Sequence, residues 1–428
     1  MRIKLAYGKD GLEVELPDAA SIEVLQMRPL PPLSDPRRAV KEALTSPIGT
    51  VPLADMARGR RSACVVISDI TRPVPNELIL PPILGTLEEN GIPRDRITIL
   101  VATGIHRPNE GQELISMVGE EIVRTYRIVN HRARTPEEMS SLGRTSGGVP
   151  ILVNSTFLAA DLRIATGLIE PHVVAGYSGG RKAICPGVSS LETVKVLHGP
   201  DILEAPQCVE GVLEHNPFHE AALEIARKAR VDLIINVAMD EGRRITGVFA
   251  GDLEEAHQAG VAFVERQVKA EIPEPVDVVV TTSAGYPLDL TYYQAIKGMT
   301  AALPILKPGG TIILAAECAE GIGGPEFTKL ILETDSPEAF MEKVRRPGFF
   351  VIDQWMVEEL CKALRKGKVF LYSDGMAAEH LHKLLVEPVP SVEEGTRRAL
   401  QMYGKHARMA VIPKGPYVLA AVRDGIGR

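Results

Sequence analysis

The first seventeen residues, MRIKLAYGKDGLEVELP, alternate apolar and polar positions on either side of Gly8-Lys9-Asp10-Gly11. A period of two around a Gly/Asp cluster predicts a β-hairpin, and the segment lacks the continuous apolar stretch of a signal peptide. Beyond it the pattern changes. SACVVISD, RITILVATG, DLRIATG and VDLIINVAMD are short runs of consecutive apolar residues ending in polar turns. Between them lie longer stretches such as LILPPILGTLEENGI, which reads as a helix with its prolines near the start. Strands apolar on both faces, separated by helices, predict βαβ units and a parallel sheet covered on both sides.

KAEIPEPVD, near residue 272, is rich in proline and charge and reads as the connection to a second domain. After it the pattern restarts. VDVVVTTSAG, GGTIILAAEC and KVFLYSDG read as strands, and YYQAIKGMTAALPIL as a helix. The expected organisation is therefore two α/β domains with mostly parallel sheets. Residues 1–272 form the first, residues 273–410 close over the substrate, and the active site lies in the interdomain cleft. The last run, RMAVIPKGPYVLAAV, suits either closing strands of the second domain or a return to the first, so 411–428 stands as a separate C-terminal segment.

Composition narrows the partners. The 428 residues carry a net charge of −7 and 4% aromatics, which gives neither the basic surface nor the stacking groups of a nucleic-acid binder. No apolar run is long enough to span a bilayer. Cys64, Cys185, Cys208, Cys318 and Cys361 are scattered with no CxxC pair, so neither a zinc knot nor a disulfide framework is expected, and the compartment reads as reducing and cytoplasmic.

The chemistry collects after the apolar strands of the first domain. In open α/β sheets ligands bind beyond the carboxyl ends of the strands. ACVVIS is followed by Asp69-Ile70-Thr71-Arg72, ITILVATG by His106, and LRIATG by His172 and a Ser178-Gly179-Gly180 turn. Arg72 suits a phosphate or carboxylate, with Asp69 holding a ribose hydroxyl or orienting Arg72; a local Asp–Arg pair at a strand end is the plainer alternative. VATGIH and IATGLIEPH echo one another, and two histidines on matching strand ends suit proton exchange on either side of one carbon, as a racemase or epimerase requires. The turn in SGGRKAICPG can cradle phosphate, and Lys182 within it can pair with phosphate or act as a nucleophile, although no Walker A loop or GxGxxG is present. In PGVSSLETVKVLHGP, Ser189 and Glu192 read as a capping box, and Gly199-Pro200 ends the helix with His198 in its last turn. No HxxxH or HExxH accompanies His198, so a metal there needs donors from elsewhere. In the second domain Tyr293, Gln294 and Lys297 share one helical turn and suit a carboxylate.

SDITRPVP, TGIHRP, EPHVVAGYSGGRKAICPG with VKVLH, and YYQAIKG, in this order from about residue 65 to 300, resemble the nickel-dependent lactate racemase family. The resemblance implies a cofactor, the nickel-pincer nucleotide, made by separate cofactor-synthesis proteins. By resemblance His198 is the protein ligand to nickel, and Lys182 carries the covalent link. His106 and His172 are the acid/base pair, with Arg72 at the reaction centre. Asp69, Thr71, Ser178, Gly179 and Gly180 hold the nucleotide. Gln294 and Lys297 contact the substrate carboxylate, and Tyr293 and Trp355 line the substrate site. The implied reaction is racemisation or epimerisation of a 2-hydroxy acid by reversible hydride transfer. A nicotinamide-type dehydrogenase and a non-catalytic nucleotide or hydroxy-acid sensor are the alternatives from other classes, and the particular hydroxy acid is left open.

Overall fold

A computed structural model describes residues 1–19 and 21–423. The chain divides into two compact units, one of residues 29–198 and 204–267, the other of residues 1–28, 199–203 and 268 onward.

The unit of residues 29–198 and 204–267 is built on a six-stranded sheet. Its strands lie in the order Ile245–Gly251, Leu233–Met239, Leu162–Leu168, Ala63–Ser68, Ile97–Ala102, Arg127–Asn130. The first pair is antiparallel and the rest are parallel. Ala63–Ser68 reads ACVVIS and is buried along almost its whole length, as a strand covered on both faces must be. Val65, Ile67, Ile99, Val101, Ile164 and Ile235 share a core with Ile79, Leu80, Ile83 and Leu87. The last four lie on the helix Asn76–Glu89, which starts directly after Pro75, so Pro81 and Pro82 are interior to it rather than near its start.

The second unit carries an all-parallel six-stranded sheet in the order Glu387–Pro388, Gly367–Tyr372, Leu306–Ala315, Val276–Thr282, Arg408–Ile412, Ser21–Val24. Alternate residues of its strands enter two separate cores. Val279, Ile312 and Leu314 face Ile296, Met299 and Leu360 on one side. Val278, Val280 and Ile313 face Val392, Ala399, Leu5 and Leu16 on the other.

That second core explains where the chain ends go. The N-terminal hairpin forms with Arg2–Leu5 paired to Leu12–Glu15, and Leu5, Val14 and Leu16 cover the outer face of this sheet. Ser21–Val24 then adds to its edge. The first 28 residues therefore pack with the second unit, not with the domain that directly follows them in sequence. Arg408–Ile412 lies inside the same sheet, and Leu419–Val422 pairs with Lys269–Ile272. The closing strands thus stay in the second unit, and the Pro-rich linker begins as a strand of it. Among the described residues no helix is long and apolar enough to cross a membrane.

Candidate active site

The chain leaves the central strand Ala63–Ser68 toward one edge of its sheet and returns on the other side with Leu162–Leu168. This is a topological switch point, the place where open α/β sheets leave a crevice beyond the strand ends. Because Ile97–Ala102, Ala63–Ser68 and Leu162–Leu168 are adjacent and parallel, the loops bearing His106, Asp69–Arg72 and His172 leave the same end of the sheet side by side.

Side chains of the central loop tie its two neighbours together. Asp69 is buried, and its Oδ2 lies 2.7 Å from Nδ1 of His106. Its Oδ1 accepts from the Thr71 hydroxyl at 2.6 Å. On the other flank Arg72 forms an ion pair with Glu170, two residues before His172. Asp69 thus orients His106, and Arg72 pairs across to the next loop, so the local Asp69–Arg72 pair does not form. Glu170 opens the segment EPHVVAGYSGGRKAICPG, where a carboxylate beside a proline in a loop carries no periodicity signal.

The hydrogen bonds fix which nitrogen of each imidazole carries a proton. A carboxylate only accepts, so Nδ1 of His106 donates to Asp69 and the lone pair lies on Nε2. At His172 the backbone N–H groups of Val174 and Ala175 approach Nδ1 at 3.4 and 3.3 Å, so Nδ1 holds the lone pair and neutral His172 carries its proton on Nε2. The two rings are prepared in opposite senses.

The Ser178-Gly179-Gly180 turn differs from the expected anion cradle. The Ser178 N–H donates to the Glu170 carbonyl, that of Gly180 to Asn236 Oδ1 at 2.8 Å, and the Ser178 hydroxyl to the Leu168 carbonyl at 2.6 Å. The glycines serve packing: a Cβ at Gly179 would stand 2.9 Å from Asn236 Oδ1, and one at Gly180 2.9 Å from the His257 ring. The turn is thereby pinned to the strand Leu233–Met239 and the helix Glu255–Val268. It leads into a 3-10 segment, Gly180–Ala183, that carries Lys182.

The helix Leu191–Leu197 is capped by Ser190, whose hydroxyl accepts from the Thr193 N–H, rather than by Ser189. Ser189 instead donates to the Ile184 carbonyl. His198 caps the other end, with Nδ1 3.0 Å from the Val194 carbonyl. A carbonyl only accepts, so the proton sits on Nδ1 and Nε2 is the basic nitrogen, the tautomer that ligating histidines adopt. Burial, with the positive charge of Lys182 adding, pulls its pKa down to about 4, so the ring is neutral near pH 7. The Phe218 ring links the two residues: it packs edge-on to His198 and lies 6.0 Å from Lys182 Nζ. Phe218 stands in a separate helix, Pro217–Lys228, and nothing in the sequence marked it.

The remaining candidates belong to the second unit. Tyr293, Gln294 and Lys297 lie on the helix Tyr292–Ala302. Trp355 donates its indole N–H to the Tyr293 hydroxyl at 3.1 Å, and Tyr293 packs edge-on to Phe327. The Gln294 Oε1 is buried without a hydrogen-bond partner. A buried amide in that condition calls for a polar group from outside the chain.

Comparison with known proteins decides the family. Residues 7–210 match the lactate racemase N-terminal domain, and residues 272–420 the lactate racemase C-terminal domain. The chain belongs to the lactate racemase family. The lactate racemase of Thermoanaerobacterium thermosaccharolyticum is 35% identical over 421 residues, 97% of this chain and 98% of that one. That of Lactiplantibacillus plantarum is 37% identical over 381 residues, 89% of each chain. The lactate racemase apoprotein structure from T. thermosaccharolyticum superposes with a TM-score of 0.92 at 35% identity, covering 99% of this chain and all of that one. A Thermotoga maritima protein shares the fold, with a TM-score of 0.68 at 19% identity over 91% of this chain and 99% of its own. With its family, this chain is an isomerase of the racemase type.

Proposed function

We propose that this enzyme racemises lactate or a closely related 2-hydroxy acid by reversible hydride transfer, with His106 and His172 as the acid/base pair and a nickel-pincer nucleotide as cofactor. The observation that carries the reading is the pair of oppositely prepared imidazoles on strand ends flanking one central loop.

The residues fit the cofactor. His198 is a neutral imidazole with its basic nitrogen fixed by the Val194 carbonyl. Among the described residues no group of three or more His, Cys, Asp or Glu is placed to hold a metal, and in this reading the nucleotide would bring the metal's other donors. In this reading His198 ligates nickel and Lys182 anchors the nucleotide. Asp69, Thr71 and the Ser178-Gly179-Gly180 turn frame it, the turn by its shape. When bound, the group supplies a reversible acceptor for the substrate's α-hydride.

The protein's part is to move protons and hold charge. His106 Nε2 takes the hydroxyl proton, and buried Asp69 stabilises the imidazolium that results. On the other side His172, when protonated, gives its Nε2 proton to the substrate oxygen as the hydride returns, so one proton leaves for His106, one comes back from His172, and exchange with solvent resets both rings. Arg72, fixed by Glu170, keeps a positive charge between the two histidine loops, where negative charge develops on that oxygen. Gln294 and Lys297 bind the carboxylate, with Tyr293 and Trp355 lining the site. A nicotinamide-type dehydrogenase is disfavoured because the loop after Ala63–Ser68 contains no glycine.

The test is co-expression with the cofactor-synthesis proteins, followed by chiral chromatography of D- and L-hydroxy acids and by mass and nickel analysis. Exchange of isomers is expected, together with a mass increase abolished in Lys182→Ala. His198→Ala is expected to lose nickel, whereas His106→Ala and His172→Ala keep nickel and lose turnover. Tight binding of a hydroxy acid by loaded protein without isomer exchange would overturn the reading in favour of a sensor.

A further inference from the structure

Behind the Ser178–Lys182 turn, on the unit of residues 29–198 and 204–267, lies a cavity of about 340 Å³. Arg181, His257 and His219 line it. Arg181 is 1% exposed, and among the described residues no carboxylate pairs with it. A guanidinium has five N–H donors. Arg181 finds the carbonyls of Ala175 at 2.6 Å and Gly179 at 3.3 Å, and His257 Nε2 at 3.0 Å. The last is shared, since the same nitrogen lies 2.9 Å from the Ser178 carbonyl and serves one neighbour at a time. The Nε–H of Arg181 has no acceptor, and neither Nδ1 of His219 nor that Nε has any hydrogen-bond partner.

A buried cation without a counter-charge costs several kcal/mol unless something compensates it. One neighbouring helix adds to the positive potential. His219 occupies the first turn of the helix Pro217–Lys228, at the positive end of its dipole. The carboxylates around the mouth are weaker in effect. Glu254 is neutralised by two hydrogen bonds from Arg227, both 2.6 Å, and Glu214 and Glu220 are exposed, where water screens them.

We propose that this cavity binds a small oxyanion, a carboxylate or a phosphate group, paired with Arg181 and accepting a hydrogen bond from His219. The assignment stands apart from the racemase reading, since none of these side chains belongs to the proposed chemistry. Nε of Arg181 and Nδ1 of His219 are both shielded from bulk water, so binding is accompanied by rotamer changes in the cavity wall. Arg181 directly precedes Lys182, so an occupied site braces the turn that carries the lysine.

The experiment is isothermal titration of the full-length chain at constant ionic strength with inorganic phosphate in one arm and acetate in the other. Saturable binding of one equivalent is expected in one arm, and that arm names the ligand class. Arg181→Met and His219→Phe are each expected to weaken it at least tenfold, while Arg72→Ala leaves it unchanged. If Arg181→Met does not fold, His219→Phe and the unmodified chain carry the test. Absence of saturable heat in both arms would overturn the proposal and leave internal water as the partner of Arg181. So would binding that survives Arg181→Met or His219→Phe but disappears in Arg72→Ala, which would assign the anion to the strand-end site.

Discussion

At the scale of single residues, the decisive contact is the 2.7 Å hydrogen bond between Asp69 and His106. A buried carboxylate on Nδ1 does two things: it puts the lone pair on Nε2, and it offsets the charge when that nitrogen is protonated. Asp69→Asn keeps the shape but presents an amide that no longer compensates an imidazolium and accepts Nδ1–H more weakly. The expected result is a fall in kcat of about 10²- to 10⁴-fold per nickel-loaded molecule, read by chiral assay normalised to nickel and mass analysis. An unchanged kcat would remove His106 from proton transfer. Arg72→Lys tests the other flank. Lysine keeps the charge but cannot reproduce the planar contact to Glu170, so kcat is expected to fall roughly 10-fold or more, with the loss concentrated in kcat rather than KM.

At the scale of elements, the strands and the order of the site-bearing loops were legible because each rests on local pattern. ACVVIS, ITILVA and LRIATGL are short, mostly apolar runs of the kind a doubly covered parallel sheet accommodates, and their polar followers are the residues at the switch point. What was not legible depends on contacts between distant segments. The Ser178-Gly179-Gly180 turn reads as a phosphate cradle from composition, yet its hydrogen bonds go to Asn236 and Glu170, and its missing Cβ atoms make room for Asn236 and His257. No local pattern reports that a strand residue some 56 positions away accepts from Gly180. The same holds for the N-terminal hairpin, whose alternation predicts its pairing but not which sheet it covers. Gly180→Ala follows from this account. Gly180 has φ of +51°, and an added Cβ meets the His257 ring at 2.9 Å on a helix that packs against the turn. Left-handed strain and overpacking together predict a loss of about 2–4 kcal/mol, seen as a lower denaturation midpoint with an unchanged slope. A variant as stable as the parent would show that the turn is not clamped as described.

At the scale of the whole molecule, the two units differ in how they hold histidine. His131, His198, His219 and His257 all lie in the unit of residues 29–198 and 204–267, and burial holds each below its ordinary value, to about 4 for His131 and His198 and about 3 for His219 and His257. His131 is 1% exposed, placed between the Ser189 carbonyl and the Asn154 amide. For such a group the unfolded chain takes up a proton near pH 6.5 while the folded one does not until about pH 4. Between those values the unfolded state binds more protons, so stability falls as pH falls. For His131 alone the full loss is on the order of 3 kcal/mol, a large part of an ordinary domain's stability. The second unit holds none of these four residues. Its Asp277, which burial pushes up but which hydrogen bonds from the Arg408 N–H and Lys307 together hold below its ordinary value, loses its contribution only as pH drops below the ordinary carboxylate range. Acidification from pH 7 to 4.5 is therefore expected to split calorimetric unfolding into two transitions, with the histidine-bearing unit melting first. His131→Gln, which keeps a hydrogen-bonding side chain but cannot titrate, is expected to narrow the gap. Equal lowering of both transitions, or no effect of the substitution on their separation, would mean that the buried imidazoles do not set the acid limit of this fold.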